Sequence, residues 1–129
     1  GHTKLKTYSE NVAYLTAVSN QVTVDLSSAQ SFICTATAAI NSFVLTNPPK
    51  GSTSFTLRID QNSTGGHSVG IDTFKNNGGI AVPIYWPGGL VPEVTTTASK
   101  TDIYSFKTFD GNNITSSGFY GVVGGQNFS

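Results

Sequence analysis

Phe55-Thr56-Leu57-Arg58-Ile59-Asp60 alternates apolar and polar residues one for one. Successive side chains of a strand point to opposite faces, so this run buries Phe55, Leu57 and Ile59 and leaves Thr56, Arg58 and Asp60 outside. A helix would instead space its apolar residues by three and four. Val22, Val24 and Leu26 alternate with Thr23 and Asp25 in the same way. Residues 31–37 and 40–46 are rich in the β-branched and aromatic types that suit a pleated surface. From Asp102 to Phe109 the apolar residues Ile103, Tyr104 and Phe106 fall on both sides of the pleat, which predicts a central strand. Residues 118–123 read as a last strand of small residues, packed close to a neighbour. Residues 8–19 carry no turn signal, and the spacing of Val12, Tyr14, Thr16 and Val18 fits a strand at least as well as a helix.

Turn chemistry separates these runs. Asn47-Pro48-Pro49-Lys50-Gly51, Asn62-Ser63-Thr64-Gly65-Gly66, Asn76-Asn77-Gly78-Gly79, Pro87-Gly88-Gly89 and Asp110-Gly111-Asn112-Asn113 combine proline, which fixes φ, with residues that tolerate positive φ. Short strands with a turn about every ten residues indicate two packed sheets. The expected fold is all-β: an antiparallel β-sandwich, jelly-roll-like, forming a single compact domain over residues 1–129, with residues 1–10 as an N-terminal arm. A chain of 129 residues has room for one core and buries roughly two-thirds of its unfolded surface.

Residues 75–92 are the least regular part and read as a long loop, with Ile80, Val82, Ile84 and Trp86 exposed or half-buried. An apolar loop on a small domain needs a cover, either a second subunit or the sheet itself. Ile80, Val82, Ile84, Tyr85 and Trp86 are therefore the candidate interface or receptor contacts. Trp86, between Tyr85 and Pro87, has three readings: stacking on a sugar ring, anchoring a protein interface, or folding over the core. The last two are the stronger expectations.

Composition narrows the function classes. Seven basic and seven acidic residues leave a formal net charge of zero, and only 11% of residues are charged. Such a surface lacks the basic excess that nucleic-acid binding requires. Abundant Ser, Thr, Asn and Gly instead suits an extracellular or virion β-protein, in which hydroxyls satisfy exposed sheet faces and identical copies approach without repulsion. The single cysteine, Cys34, allows no intrachain disulfide and reads as a small buried apolar residue. No apolar run approaches the ~20 residues that cross a bilayer, and Gly1-His2-Thr3-Lys4 does not open a secretory leader.

Motifs for chemistry were tested against the context each needs. Gly66-His67-Ser68-Val69-Gly70 matches the Gly-x-Ser-x-Gly elbow of serine hydrolases, which requires a preceding strand, a following helix and a distant His and acid. Ile71-Asp72-Thr73-Phe74 reads as strand, and the other histidine is His2 at the N-terminus. Two histidines and one cysteine, far apart, make no zinc spacing, and the scattered Asp25, Asp60, Asp72, Asp102 and Asp110 make no calcium loop. Asp110-Gly111 reads as a hairpin turn. No catalytic, metal or cofactor residues are expected, and no cofactor.

The ordered series Tyr85-Trp86-Pro87-Gly88-Gly89, Val94-Thr95-Thr96-Thr97-Ala98, Asp102-Ile103-Tyr104-Ser105-Phe106, Phe109-Asp110-Gly111 and Phe119-Tyr120-Gly121 through Gly124-Gly125-Gln126-Asn127 resembles a β-rich module of tailed bacteriophages, found in tail fibres and small capsid-surface proteins. The resemblance extends more loosely upstream, through Thr23-Val24-Asp25-Leu26-Ser27, Phe43 to Pro49, and Phe55 to Gln61 with Gly65-Gly66. The chain departs from the module at Val69 to Phe74, where a tryptophan-proline pair is usual, and at Ile114 to Gly118, where an aromatic is usual. Lys75 to Pro83 is also longer than the usual form.

The resemblance implies a non-enzymatic protein on the virion surface, often a homotrimer. It would be a capsid decoration (cement) or head-fibre protein seated on the major capsid protein. The early start of the strand pattern, with no shaft before it, favours that form. The alternative is a tail-fibre receptor-binding domain that contacts tail or fibre proteins and a host surface glycan or protein. A free lectin or carbohydrate-active enzyme is the third class. Neither nucleic acid nor membrane insertion is implied.

Overall fold

The structure, a computed structural model, describes residues 10–129. The N-terminal arm expected over residues 1–10 therefore lies, except for Glu10, outside the described residues. The chain is mostly β-strand, in two sheets. In chain order the strands are β1 (Val12–Leu15), β2 (Gln21–Asp25), β3 (Ser31–Ala36), β4 (Ser42–Thr46), β5 (Thr53–Gln61), β6 (Phe74–Asn76), β7 (Ala81–Val82), β8 (Ile84–Tyr85), β9 (Thr101–Thr108) and β10 (Phe119–Phe128). One short helix, α1 (Ile114–Ser117), follows a 3-10 turn at Gly111–Asn113. The six-stranded sheet has the order β1-β3-β5-β9-β10-β8, and the four-stranded sheet the order β2-β4-β6-β7.

The first six strands alternate between the sheets: β1, β3 and β5 lie in one, and β2, β4 and β6 in the other. Each strand therefore faces its sequence neighbour across the core rather than pairing with it. The chain crosses over and back before rejoining a sheet, and so returns in the same direction. Five of the eight strand pairs are parallel, four of them (β1–β3, β3–β5, β2–β4 and β4–β6) for this reason and the fifth between β8 and β10. This corrects the expectation of antiparallel pairing throughout. A parallel pair needs a long crossover, usually a helix; here a strand of the opposite sheet serves as the crossover. Antiparallel pairing is confined to β5–β9, β9–β10 and β6–β7.

The alternation read at Phe55 to Asp60 holds: Phe55, Leu57 and Ile59 are buried, and Arg58 is exposed. Strand β9 is central, between β5 and β10, as its apolar content predicts. Strands β3 and β4 fall within the runs read as β-like, β2 begins one residue ahead of its run, and β1 lies in the 8–19 stretch whose spacing fits a strand at least as well as a helix. The core is a chain of aromatic rings that joins the sheets. Phe43 stacks on Phe74 at 5.1 Å, Phe74 meets Phe106 at 5.1 Å, and Phe106 stacks on Phe55 at 5.0 Å. Phe32 and Phe119 meet Phe55 edge-on at 6.0 and 5.6 Å.

Three local readings are corrected. Residues 75–92 are not one loop: they contain the end of β6, then β7, β8 and a 3-10 turn at Pro87–Gly89. Ile71, Asp72 and Thr73 form a turn rather than a strand. Asp110-Gly111 is not a tight hairpin; the Asp110 carboxylate accepts from the Asn112 N–H and starts the 3-10 turn ahead of α1. Gly111 is required by close approach, since a Cβ would collide with the Pro49 carbonyl and its N–H donates to the Gly51 carbonyl at 2.7 Å.

The last strand runs on to Phe128, five residues beyond the expected end, because a buried carboxylate holds it. Asp102 is 1% exposed. Its Oδ2 accepts from the Thr95 N–H at 2.7 Å and the Tyr104 hydroxyl at 2.7 Å, and its Oδ1 accepts from the Asn127 N–H at 2.8 Å. Gln126 Nε2 donates to the Tyr104 oxygen at 2.9 Å and to the Glu93 carbonyl at 2.8 Å. Burial pushes the Asp102 carboxyl up, but these donors outweigh it and hold the group below the ordinary carboxylate range. Burial and the carboxylate together push the Tyr104 phenol up.

A depressed folded-state pKa contributes stability that is present above the unfolded value, ~3.9, and lost as the pH falls through the folded one. Asp102→Asn sets an NH2 group among donors and is expected to cost about 1–3 kcal/mol at pH 7. Urea unfolding at pH 7 and pH 3 checks this: the gap between wild type and variant should narrow in acid, and parallel pH profiles would refute the assignment.

Candidate functional site

Register on the outer face of the six-stranded sheet decides which exposed side chains meet. Across four strands, Ser54 of β5 pairs with Lys107 of β9, Lys107 with Tyr120 of β10, and Tyr120 with Tyr85 of β8. The next row brings Thr56, Ser105 and Val122 side by side. Phe109, just beyond β9, closes the group edge-on to Tyr120 at 5.8 Å. The Tyr85 and Tyr120 rings lie 5.3 Å apart, and Lys107 Nζ sits 5.2 Å over the Phe109 ring. Tyr85 is 45% exposed, Tyr120 52%, Val122 48% and Phe109 66%.

These side chains form a contiguous aromatic row on a rigid sheet. Two shallow clefts flank Tyr120. One, about 260 Å³, is lined by Tyr85, Trp86, Pro87, Tyr120, Gly121 and Val122. The other, about 240 Å³, is lined by Ser54, Ser105, Lys107, Phe109, Tyr120 and Val122, with Phe106 at its floor.

The five residues expected from sequence do not form one patch. Tyr85 belongs to the row, and Ile84 beside it is half-buried against the core. Ile80 is exposed in the turn between β6 and β7, where its N–H donates to Asn76 Oδ1 at 2.9 Å. Val82 and Trp86 are buried, at 3% and 7% exposure, which corrects the reading of both as exposed or half-buried. The Val82 side chain lies with Phe74 on the inner side of the four-stranded sheet.

Trp86 folds over the core, edge-on to Phe106 at 5.7 Å and to Tyr104 at 6.4 Å. Its Nε1–H has no acceptor among the described residues. Gly121 makes room for the indole: a Cβ there would lie 2.8 Å from Cζ3. Trp86 thus supports the row from beneath. Sequence reasoning missed Tyr120, Phe109 and Lys107 as site residues. The period-two signal was present for one of them, because Phe119 and Gly121 point inward and so Tyr120 and Val122 point outward.

The serine-elbow motif has no catalytic geometry. No helix follows it, and His67 Nε2 lies 3.1 Å from Asn62 Oδ1 rather than beside Ser68. The Gln61 amide holds the His67 backbone, donating to its carbonyl at 2.8 Å and accepting its N–H at 3.2 Å. Cys34 is buried, and burial first, then Asp60, pushes its thiol up to about 11, the opposite of an activated nucleophile. Among the described residues no three His, Cys, Asp or Glu side chains gather as metal ligands, and no helix is long and apolar enough to cross a membrane.

No protein-family model matches the chain, and neither a curated protein nor a solved structure matches it significantly.

The contact between Trp86 and Gly121 is open to test, since the chain has a single tryptophan whose emission reports on this place alone. Gly121→Ala should displace the indole, shift its emission to the red and cost about 1–3 kcal/mol. Unchanged emission with wild-type stability would show that the indole does not seat on Gly121.

Proposed function

We propose that this protein is a non-enzymatic structural protein of a bacteriophage particle surface, in the first place a capsid decoration (cement) or head-fibre protein. The observation that carries the reading is the aromatic row of Tyr85, Tyr120 and Phe109 with Val122, half-exposed on a flat sheet face. Exposed apolar side chains that touch one another mark a binding surface, whereas single ones do not. Aromatic residues are the side chains that dominate such contacts.

The surroundings favour adhesion over chemistry. Ser54, Thr56 and Ser105 border the row with hydroxyls, and the chain carries no net charge. A hydroxyl-bordered apolar face with a single cation, Lys107, binds mainly by area and fit. Binding to the folded protein alone stabilises an assembly by mass action, which is how a cement protein acts.

The architecture belongs to the same proposal. Two sheets that share one aromatic core support a β-sandwich reading. The parallel pairing of β1, β3 and β5 departs from a jelly roll, whose strands run antiparallel.

In this reading the partners are further copies of the chain, as a homotrimer, and the major capsid protein. The second reading is the receptor-binding domain of a tail fibre, with tail or fibre proteins behind it and a host surface glycan or protein in front. The paired clefts beside Tyr120 favour it.

Immunogold electron microscopy on intact particles separates the two. Label over the head is the expected result, label at the tail tip selects the second reading, and unlabelled particles would refute both. Native mass spectrometry at micromolar concentration should show a trimer, and a monomer would remove self-assembly from the proposal.

A further inference from the structure

The charge pattern around the aromatic row narrows what can sit on it. Lys107 lies where the row meets its hydroxyl border, between Tyr120 and Ser54. Among the described residues the one ion pair is Arg58 with Asp60, at 2.9 Å, so Lys107 has no carboxylate partner there. Asp60 lies six residues along β5 from Ser54, about 20 Å away at ~3.3 Å per residue. It is held by Arg58 Nε and Nη2 and by the Thr101 hydroxyl.

An ammonium without a carboxylate partner at the edge of an aromatic row is unfavourable for a wholly apolar partner. Covering it would strip its water and leave it only the Phe109 ring in return. A partner that brings its own anion beside a flat apolar surface matches both features. Saccharides have that shape: the C–H face of a sugar ring lies on an aromatic ring, and its hydroxyls reach groups at the edge. The Ser54 and Ser105 hydroxyls border the cleft that holds Lys107. The Tyr85 and Tyr120 rings stand on paired strands, so little conformational freedom is lost there on binding.

We propose that the Tyr85–Tyr120–Phe109 face binds an anionic glycan, one whose sugars carry carboxylate or phosphate groups. The sugar ring stacks in the clefts beside Tyr120, and the acid group meets Lys107. This deepens the particle-surface reading by giving the exposed face a ligand class, and it holds for a head or a tail position alike.

The test uses the purified protein on an array of oligosaccharides bearing uronic acid, sialic acid or phosphate, printed beside neutral ones. Titration calorimetry on the best binder follows. Acidic glycans should be selected over neutral ones, with binding weakened by salt. Tyr120→Ala should weaken binding about tenfold or more. Lys107→Gln should lose about threefold at low salt and erase the preference for acidic sugars. Lys107 is exposed, so Lys107→Gln should unfold at the wild-type temperature, while Tyr120→Ala, which also loses its ring contacts with Tyr85 and Phe109, should unfold slightly lower as a folded protein.

Equal binding of neutral glycans, or full competition by inorganic phosphate alone, would overturn the assignment of an anionic glycan. So would the absence of any glycan binding, and if Tyr120→Ala then broke the oligomer, the face would be a protein interface. None of these outcomes bears on where immunogold places the protein, so the two proposals fail separately.

Discussion

The contact between Phe74 and Phe106 is the one on which the rest of the molecule depends. It joins β6 of the four-stranded sheet to β9 of the six-stranded sheet, with ring centroids 5.1 Å apart. Phe43 extends it through one sheet, and Phe55 with Phe32 and Phe119 through the other. Neither sheet is independently plausible without this shared layer, since each buries its apolar residues only against the other. With charged residues at 11% of the chain, burial of apolar area, aliphatic and aromatic together, is the main source of stability available.

The outer face takes its form from that inner layer. Trp86 packs on Phe106 and fills the space that Gly121 leaves, which fixes the neighbouring Tyr85 at the sheet edge. On β10, Phe119 and Gly121 are held inward, so Tyr120 and Val122 must point out. The aromatic row is therefore the reverse side of the core, with Tyr85 and Tyr120 positioned by strands and Phe109 by the bend just beyond β9. Such a surface meets its ligand already ordered.

Buried polar groups hold the segments that the aromatic layer does not reach. Asp102 gathers the backbone of residues 95 and 127 onto β9, and Gln61 gathers the turn at His67 onto β5. Both side chains lie on the core side of their strands, where polar atoms are tolerated only with partners. Each accepts or donates to backbone groups that have no place in a sheet ladder, so the irregular segments 62–67 and 93–99 stay closed over the core.

Much of the fold was legible as sequence. The period-two runs at 22–26 and 55–60, the two-sided apolar run at 102–109 and the turn residues at 47–51 and 62–66 fix local conformation through sterics and side-chain direction, which are properties of neighbouring residues. Those signals determine β-strands, their inner faces and most of their ends. They do not say whether a short connection turns back into a hairpin or arches across the core, because a link of a few residues can do either. Only the tertiary structure decided that β1 to β6 alternate between sheets and pair in parallel. It also decided the site: Lys107, Phe109 and Tyr120 become neighbours of Tyr85 through the register of β8, β9 and β10. Likewise Trp86 is buried because Gly121, 35 positions along the chain, leaves room for it. Burial and adjacency are set by what packs from elsewhere in the chain, and no local pattern carries that information.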